Sequence, residues 1–303
     1  MRSASWWGLV VLPLVALAVR LAYAATLPAQ IVVTFEADPL TYDQIARNVV
    51  AGRGFTGASF YYPPGREYPT AFWDALYPYF LGGLYALFGH SIPMVRIVQA
   101  AIGAGAVALT FVVGRQVARP VVGLLAATVS AVYPFFVYYA GHLLTETLFM
   151  ALILGVFAAG FRAVETRSGG WFLALGTLNG LAALCRAEAL LFGMAFVAWA
   201  AWRSSKLLSR QMRLGAVALA AMLVVMLPWG LRNQATHGQF ILTTTKLGYN
   251  LYKYYHPTMT ADQTVRTVPF PEFGERTEPQ REALLREHGV RFMLDDPGRT
   301  AWF

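Results

Sequence analysis

Residues 92–114 read IPMVRIVQAAIGAGAVALTFVVG and contain a single charged side chain, Arg96. A helix rises 1.5 Å per residue, so a stretch of this length crosses the roughly 30 Å hydrocarbon core of a bilayer. Across all 303 residues, 57% are hydrophobic and only 13% are charged. A soluble domain of this size has about twice that share of charged residues. The composition therefore predicts an integral membrane protein.

Similar apolar stretches recur along the chain and predict seven spans. They lie near residues 6–25, 92–114, 120–140, 147–164, 171–185, 188–202 and 214–230. The fifth and sixth are short and meet at a polar hinge, so a single long helix is the alternative to two spans. We prefer two, because the basic loops then all lie on one side. The predicted fold class is an all-α polytopic bundle.

The apolar run 75–88 is too short to span comfortably. We expect it to form a helix lying on the outer surface, with aromatic side chains at headgroup depth. The first extracytoplasmic loop, 26–91, then carries juxtamembrane helices.

The charges divide by side of the membrane. The formal net charge is +8, and the basic residues cluster in the short loops, as the positive-inside rule expects. A bilayer explains this charge without a nucleic-acid partner. Acidic residues gather in or beside the opposite gaps: Glu36, Asp38, Asp43, Glu67, Asp74, Glu146 and Glu188. This predicts an inner-membrane protein with a cytoplasmic N-terminus and chemistry at the extracytoplasmic rim.

The first outer loop holds the strongest catalytic candidates. Asp38 precedes a predicted helix, 41–51, with Thr41 as its N-cap and Gly52 and Gly54 ending it. Asp43 lies in the first turn of that helix. The alternative is that both aspartates only cap the helix and solvate the loop.

Two further residues bear on the first and fifth spans. Arg20 interrupts the apolar core of the first segment, which argues against a cleaved signal peptide and predicts an inward-facing partner. Cys185 is the only cysteine, so an intramolecular disulfide and a thiolate metal site are excluded. We expect Cys185 to be a small buried side chain.

Several short motifs follow one another in order across nearly the whole chain. They are Asp38 with Tyr42, Ile45-Ala46, Gly52 to Phe55, Tyr77-Pro78, Phe88-Gly89, Tyr133-Pro134, Leu144 to Phe149, Gly180 to Leu184 with Arg186 and Glu188, and Leu227 to Trp229 with Arg232-Asn233. In this order and spacing they resemble the GT-C superfamily of membrane glycosyltransferases. The likeness is closest to the family 39 and 83 type, which includes protein O-mannosyltransferases, lipid A aminoarabinose transferases and bacterial lipopolysaccharide-modifying transferases.

This resemblance implies transfer of a sugar from a polyprenyl phosphate carrier to a lipid, glycan or protein acceptor on the outer face. It also implies that Asp38 is the general base or orients the acceptor. Inversion at an anomeric carbon requires one carboxylate and cations for the leaving phosphate. Glu146 is then an assisting or positioning group, or alternatively a helix cap, and Glu36 is a second candidate for the base.

Cations at the outer interface are few, and a polyprenyl phosphate requires them. Arginine matches phosphate in bidentate geometry, which favours Arg186 and Arg232, with Lys246, Arg66 and Arg96 as further candidates. A local pair with Glu188 is the alternative for Arg186. For Arg232 the alternative is snorkelling at the end of a span.

No cofactor is assigned from the sequence. Asp38, Glu146 and His142 at the same rim leave a divalent metal possible, but their spacing matches no metal motif. A transporter or flippase for a lipid-linked sugar and a noncatalytic binding subunit are the alternative functions. The first is disfavoured because the spans from 92 to 230 carry few charges away from their ends and show no repeat.

The sequence predicts two domains, a transmembrane module at 1–232 and a polar extracytoplasmic segment at 233–303. Within the second, a soluble helix is expected over Gln280 to His288 and closed by Gly289. Tyr249, Tyr252, Tyr254 and Tyr255 are expected near sugar or headgroups. Relatives of this type usually continue through more spans, so we expect the chain to be an N-terminal fragment.

Overall fold

The computed structural model describes residues 5–32, 38–202, 208–259 and 268–300. These parts are mostly helical, with one short strand pair. In chain order the first elements are α1 Trp7–Thr26, which opens with a π-helical turn, α2 Asp38–Val50, β1 Thr56–Gly57, β2 Tyr68–Pro69, α3 Leu76–Phe88 and α4 Ile92–Val117. They are followed by α5 Pro120–Val132, α6 Pro134–Gly141, α7 Glu146–Thr166, α8 Gly169–Cys185 and α9 Leu190–Trp202. The last are α10 Leu208–His237, α11 Lys246–Tyr255, α12 Glu278–Asp295 and α13 Pro297–Thr300.

The apolar helices confirm an all-α polytopic membrane protein. In the described residues, four helices are long and apolar enough to cross a bilayer: α1, α4, α7 and the part of α10 from Met212 to His237. A fifth crossing is possible if α5 and α6, which meet at a 51° bend, count as one span. The predicted spans 171–185 and 188–202 and the run 75–88 correspond to shorter apolar helices, α8, α9 and α3.

Two predicted helix boundaries are wrong. The helix predicted over 41–51 begins at Asp38, so Thr41 is a buried residue inside it and not its N-cap. Gly52 and Gly54 follow its end with φ of 75° and 73°, as expected. The helix predicted over Gln280–His288 runs through Gly289 to Asp295. Gly289 lies inside this helix, where its missing side chain lets the backbone of α11 come close: a Cβ there would lie 2.7 Å from Leu251.

Contacts divide the chain into two compact units, and each is described by itself. Unit 1 contains residues 1–54 and 75–227, and unit 2 contains 55–74 and 228–303. Unit 2 therefore includes a segment of the first loop that the sequence assigned to the transmembrane module.

In unit 1, Arg20 stabilises the bend between α5 and α6. Pro134 has no N–H, so the carbonyl of Ser130 lacks its helical donor. Arg20 supplies one, donating to Ser130 O at 3.1 Å and to Ala131 O at 2.8 Å. The side chain is buried, and Gly103 makes room for it, since a Cβ at Gly103 would lie 2.7 Å from Arg20 Nε. The predicted inward-facing partner of Arg20 is thus a helix end.

Helix α8 packs closely on the unit 1 part of α10. A Cβ at Gly176 would lie 2.0 Å from Ala218 O, and one at Gly180 would lie 2.9 Å from Met222 O. Small residues of this kind let membrane helices approach where the hydrophobic effect gives little drive. Asn179 lies between them and donates to Met222 Sδ at 3.2 Å.

Arg96 shows which helix ends lie together in unit 1. It donates to Gln30 O at 3.0 Å, to Pro28 O, and to Gly141 O at 2.9 Å. The end of α1, the start of α4 and the end of α6 therefore share one end of the bundle. Since α1 ends and α4 begins at the same end, α2 and α3 together make no net crossing. The side of the membrane on which this end lies stays a prediction.

Unit 2 is held together by close backbone contacts and one buried carboxylate. β1 and β2 pair antiparallel, with Thr56 opposite Pro69. Helices α11 and α12 touch at Gly248, where a Cβ would lie 2.1 Å from Glu282 O. Glu278, at the start of α12, is fully buried.

Candidate functional site

A chain of contacts leads from the helix that carries Asp38 to the segment that carries Glu146. Asp38 is half-buried at the start of α2, and Tyr42, one turn later, lies on the same face of the helix. Tyr42 meets Tyr77 edge-on at 5.2 Å between ring centroids. The Tyr77 hydroxyl donates to Gln99 Oε1 at 2.6 Å.

Gln99 completes this path. Its amide donates to Ala140 O at 3.1 Å and to His142 O at 2.8 Å. His142 begins the short turn between α6 and α7, and Glu146 is the first residue of α7. Two predicted catalytic carboxylates, Asp38 and Glu146, therefore belong to segments that meet at the same end of unit 1.

Glu146, Arg186 and Glu188 form a partly exposed ion cluster at this end. Arg186 Nη1 lies 3.2 Å from Glu146 Oε1, and its Nε lies 2.8 Å from Glu188 Oε1. The backbone explains the geometry: α8 ends at Cys185, Arg186 is extended, and the 3₁₀ turn Ala187–Ala189 brings Glu188 back beside it. The guanidinium also lies 5.7 Å from the Phe149 ring centroid. The pair with Glu188, the alternative for Arg186, is thus present.

An apolar cavity adjoins this cluster. It has a volume of about 110 Å³, and its lining includes Arg20, Glu146, Thr147 and Phe149. The hydroxyl of Thr147 and the Nε of Arg20 are buried there, and neither has a hydrogen-bond partner among the described residues. A second, wider groove of about 570 Å³ shares Ser130, Phe136 and Met150 with the cavity and continues between α5 and α7.

Asp43 is buried and fully engaged with neighbouring side chains. Its carboxylate lies 2.9 Å from Arg47 Nε and accepts from the Tyr85 hydroxyl at 2.7 Å. His90 Nε2 is 2.7 Å from the same carboxylate. These contacts fasten α2 to α3 and to the turn before α4, so they give Asp43 a structural role. Glu36 lies outside the described residues.

The other four predicted phosphate ligands differ in their contacts. Arg96 donates to backbone carbonyls, as described above. Arg232, in unit 2, donates to Thr70 O and Phe55 O, each at 2.8 Å, and its guanidinium lies 5.0 Å from the Trp229 ring. Lys246 pairs with Asp74 at 2.9 Å. Arg66 is exposed in the β1–β2 turn.

Glu278 is an ionisable residue that the sequence did not single out. Its carboxylate accepts from Ala71 N and Thr70 Oγ1, each at 2.7 Å, and from Thr245 Oγ1 at 2.9 Å. Burial raises the pKa of this carboxyl above its usual range, and the hydrogen bonds oppose that effect. The local signal was Thr277, whose side chain caps α12 in a capping box with Gln280.

No group of three or more His, Cys, Asp or Glu residues in the described parts of the chain is placed to hold a metal ion. Cys185 is buried, as expected, and its thiol donates to Thr145 O at 3.9 Å. The site therefore consists of carboxylates and one arginine beside an apolar cavity, at one end of a bundle of membrane-crossing helices. Carboxylates, a cation and an apolar space at a membrane surface are what an enzyme acting on a lipid-borne substrate requires.

Comparison with known proteins agrees with that class. Residues 75–229, just over half of the chain, match the dolichyl-phosphate-mannose-protein mannosyltransferase family, and the chain belongs to this family. It is a membrane glycosyltransferase that depends on a sugar linked to a polyprenyl phosphate. No curated protein matches the chain. Glu146, Arg186 and Arg96 lie inside the matched region, whereas Asp38 precedes it.

Proposed function

We propose that this enzyme transfers the sugar with inversion, at the extracytoplasmic face, and that Asp38 is the general base. The acceptor hydroxyl attacks the anomeric carbon and gives its proton to the Asp38 carboxylate. A new C–O bond forms to the acceptor as the anomeric C–O bond to phosphate breaks, and polyprenyl phosphate leaves. The observation that carries this proposal is the path of contacts from α2 through Tyr77 and Gln99 to the segment of Glu146.

The donor phosphate would bind at Arg186 by replacing Glu146. As it stands, one positive and two negative side chains meet there, so the cluster has a formal charge of −1 and does not attract an anion. If a phosphate binds the Arg186 guanidinium in place of Glu146, the Glu146 carboxylate becomes available beside the reacting atoms. It can then orient the acceptor. Arginine favours this exchange because it binds phosphate through two parallel hydrogen bonds.

The hydrocarbon chain of the donor would lie in the apolar cavity and the adjoining groove. The cavity lies next to Glu146, and the groove continues along α5 and α7 among apolar side chains. A lipid phosphate placed at Arg186 can therefore extend its chain directly into this space.

The test is transfer from a radiolabelled polyprenyl-phosphate sugar in membranes containing Asp38→Asn. We expect a loss of about 10²- to 10⁴-fold, the usual contribution of a general base, with donor binding retained. Glu165→Gln is the matched control, because Glu165 is an exposed acid of unit 1 whose described partner is Arg162, at 3.1 Å. Full transfer by Asp38→Asn would remove Asp38 from the mechanism.

A second pair of variants tests the exchange at Arg186. Arg186→Lys keeps the positive charge but loses the two parallel N–H donors of the guanidinium. It should therefore raise KM for the donor more than it lowers kcat. Glu146→Gln removes the competing carboxylate and should lower KM for the donor while reducing kcat. If neither variant changes KM, the phosphate binds elsewhere.

A further inference from the structure

Six arginines lie at the end of unit 1 that is opposite to Asp38 and Glu146. They belong to the turn between α4 and α5, the end of α7 and the start of α10: Arg115, Arg119, Arg162, Arg167, Arg210 and Arg213. Residues 115–119, 162–167 and 210–213 contain one acid, Glu165. We call the six arginines the basic end, and together with Glu165 they carry a formal charge of +5.

Two hydrogen bonds bring the three segments of the basic end together. Gln116 Nε2 donates to Ala158 O at 3.3 Å, so the end of α4 lies one helical turn from Arg162. Arg210 Nη2 donates to Arg167 O at 3.5 Å, which joins the start of α10 to the end of α7. The basic end is therefore one surface built from four helices.

Most of these charges have no acidic partner within the described parts of the chain. Arg162 pairs with Glu165 at 3.1 Å. None of the other five guanidinium groups forms an ion pair with a described carboxylate. Like charges held close together repel one another, and an anion bound among them would replace that repulsion by attraction.

Arg167 keeps its charge at a backbone position that is unfavourable for arginine. It ends α7 in the left-handed conformation, with φ of 54°, and the other positive φ values among the described residues belong to glycines. A residue with a Cβ adopts this conformation at a cost that glycine avoids and asparagine reduces. An arginine here favours a role for the guanidinium itself.

Two exposed tryptophans indicate the depth of the basic end in the membrane. Trp171 lies in the first turn of α8, and Trp202 is the last residue of α9. Both helices have these residues at the same end of the bundle as Arg167, and the two side chains are 41% and 80% exposed. Tryptophan prefers the headgroup region of a bilayer. The guanidinium groups beside them therefore lie at the level of lipid phosphates.

We propose that the basic end binds the phosphodiester groups of anionic phospholipids. A guanidinium matches a phosphate through two parallel hydrogen bonds. A zwitterionic lipid brings an ammonium with its phosphate, whereas phosphatidylglycerol and cardiolipin bring uncompensated negative charge that complements the charge of +5. Arg115, Arg162 and Arg167 are partly buried at headgroup depth, where lipids have access and a soluble acidic protein does not.

The experiment measures thermal unfolding of the full chain in detergent micelles with added dioleoyl phosphatidylglycerol, cardiolipin or dioleoyl phosphatidylcholine. A lipid that binds the folded state raises the unfolding temperature with concentration. We expect the two anionic lipids to reach half of their effect at a much lower lipid fraction than phosphatidylcholine. Sodium chloride at roughly 0.5 M should reduce this preference by screening. The measurement does not involve transfer, so it stands or fails separately from the proposed reaction.

The variant is Arg167→Asn combined with Arg210→Gln, because asparagine tolerates the left-handed backbone. It should raise the half-saturating fraction of the anionic lipids roughly twentyfold, since each arginine near an anionic surface contributes about a factor of five. Its behaviour in phosphatidylcholine should be unchanged.

The matched control is Arg286→Gln combined with Arg291→Gln. These arginines lie on α12 in unit 2, pair with Glu282 and Asp295, and remove the same charge from the chain. The control should keep the lipid preference of the unmodified protein. Equal effects of phosphatidylglycerol and phosphatidylcholine on the unmodified protein would overturn the inference and leave the basic end to membrane topology or to a soluble acidic partner. A lipid preference that is insensitive to salt, or that both variants lose equally, would overturn it as well.

Discussion

Glu278 shows how one buried carboxylate makes the stability of unit 2 depend on pH. Its pKa is raised by burial, so the folded state holds the proton at a pH where the unfolded state has lost it. The folded state then binds more protons than the unfolded state between the ordinary value of 4.5 and the raised one, and the free energy of unfolding falls as pH rises through that window. Glu282, on the same helix, has a pKa raised by burial too and acts in the same direction.

We therefore predict that unit 2 is more stable near pH 5 than near pH 7, and that Glu278→Gln reduces this difference. Glutamine can still accept from Ala71 N, and its amide can donate to a threonine hydroxyl. Thermal unfolding followed by near-ultraviolet circular dichroism at both pH values measures the change, with the exposed Glu275→Gln as control.

Glu278→Leu leaves the Ala71 N–H without its partner and should cost about 1–3 kcal/mol at any pH. An unchanged pH dependence in Glu278→Gln would assign the effect to other groups.

At the scale of elements, the approach of α8 to α10 depends on glycine. A Cβ at Gly176 would lie 2.0 Å from a backbone oxygen of α10. A backbone atom cannot relieve such a clash by changing rotamer, as a side chain can. Gly176→Ala should therefore destabilise unit 1 by about 1–3 kcal/mol, the usual effect of overpacking. Its measurement is the temperature at which the purified protein unfolds or aggregates.

Gly170→Ala is the control on the same helix. A Cβ at Gly170 would meet only Ser168 Oγ, at 3.7 Å, so this variant should unfold as the unmodified protein does. A stable Gly176→Ala would contradict the close packing of α8 on α10.

At the scale of the whole molecule, the distribution of charges predicts the orientation in the membrane. Two exposed alanines, Ala29 and Ala118, follow α1 and α4 at opposite ends of the bundle. In a Cys185→Ala background, we predict that a membrane-impermeant maleimide labels Ala29→Cys in intact cells and labels Ala118→Cys only after permeabilisation. The basic loops at the end of Ala118 should stay in the cytosol. The reverse pattern would place Asp38 in the cytosol and remove the proposed access to an extracytoplasmic donor.

Composition and periodicity alone determined the membrane environment, the helical fold and the position of most spans. These follow from local physics: a bilayer requires internal hydrogen bonding, and apolar length limits where a helix crosses. The inward position of Arg20 was predictable for the same reason, since an unpaired charge in hydrocarbon is costly.

Only the tertiary structure decided how the charged residues are used. Arg186 was predicted as a phosphate ligand or a local partner of Glu188. Its contact with Glu146, forty positions earlier, depends on the fold that brings the end of α8 beside the start of α7. Asp43 was a catalytic candidate because of its place in the first outer loop, but Tyr85 from α3 and His90 from the turn before α4 contact its carboxylate. The role of Glu278 was invisible because its partners come from segments about 200 and 33 residues away. Sequence patterns report interactions within a few turns, whereas charge pairing and burial depend on which distant segments the fold brings into contact.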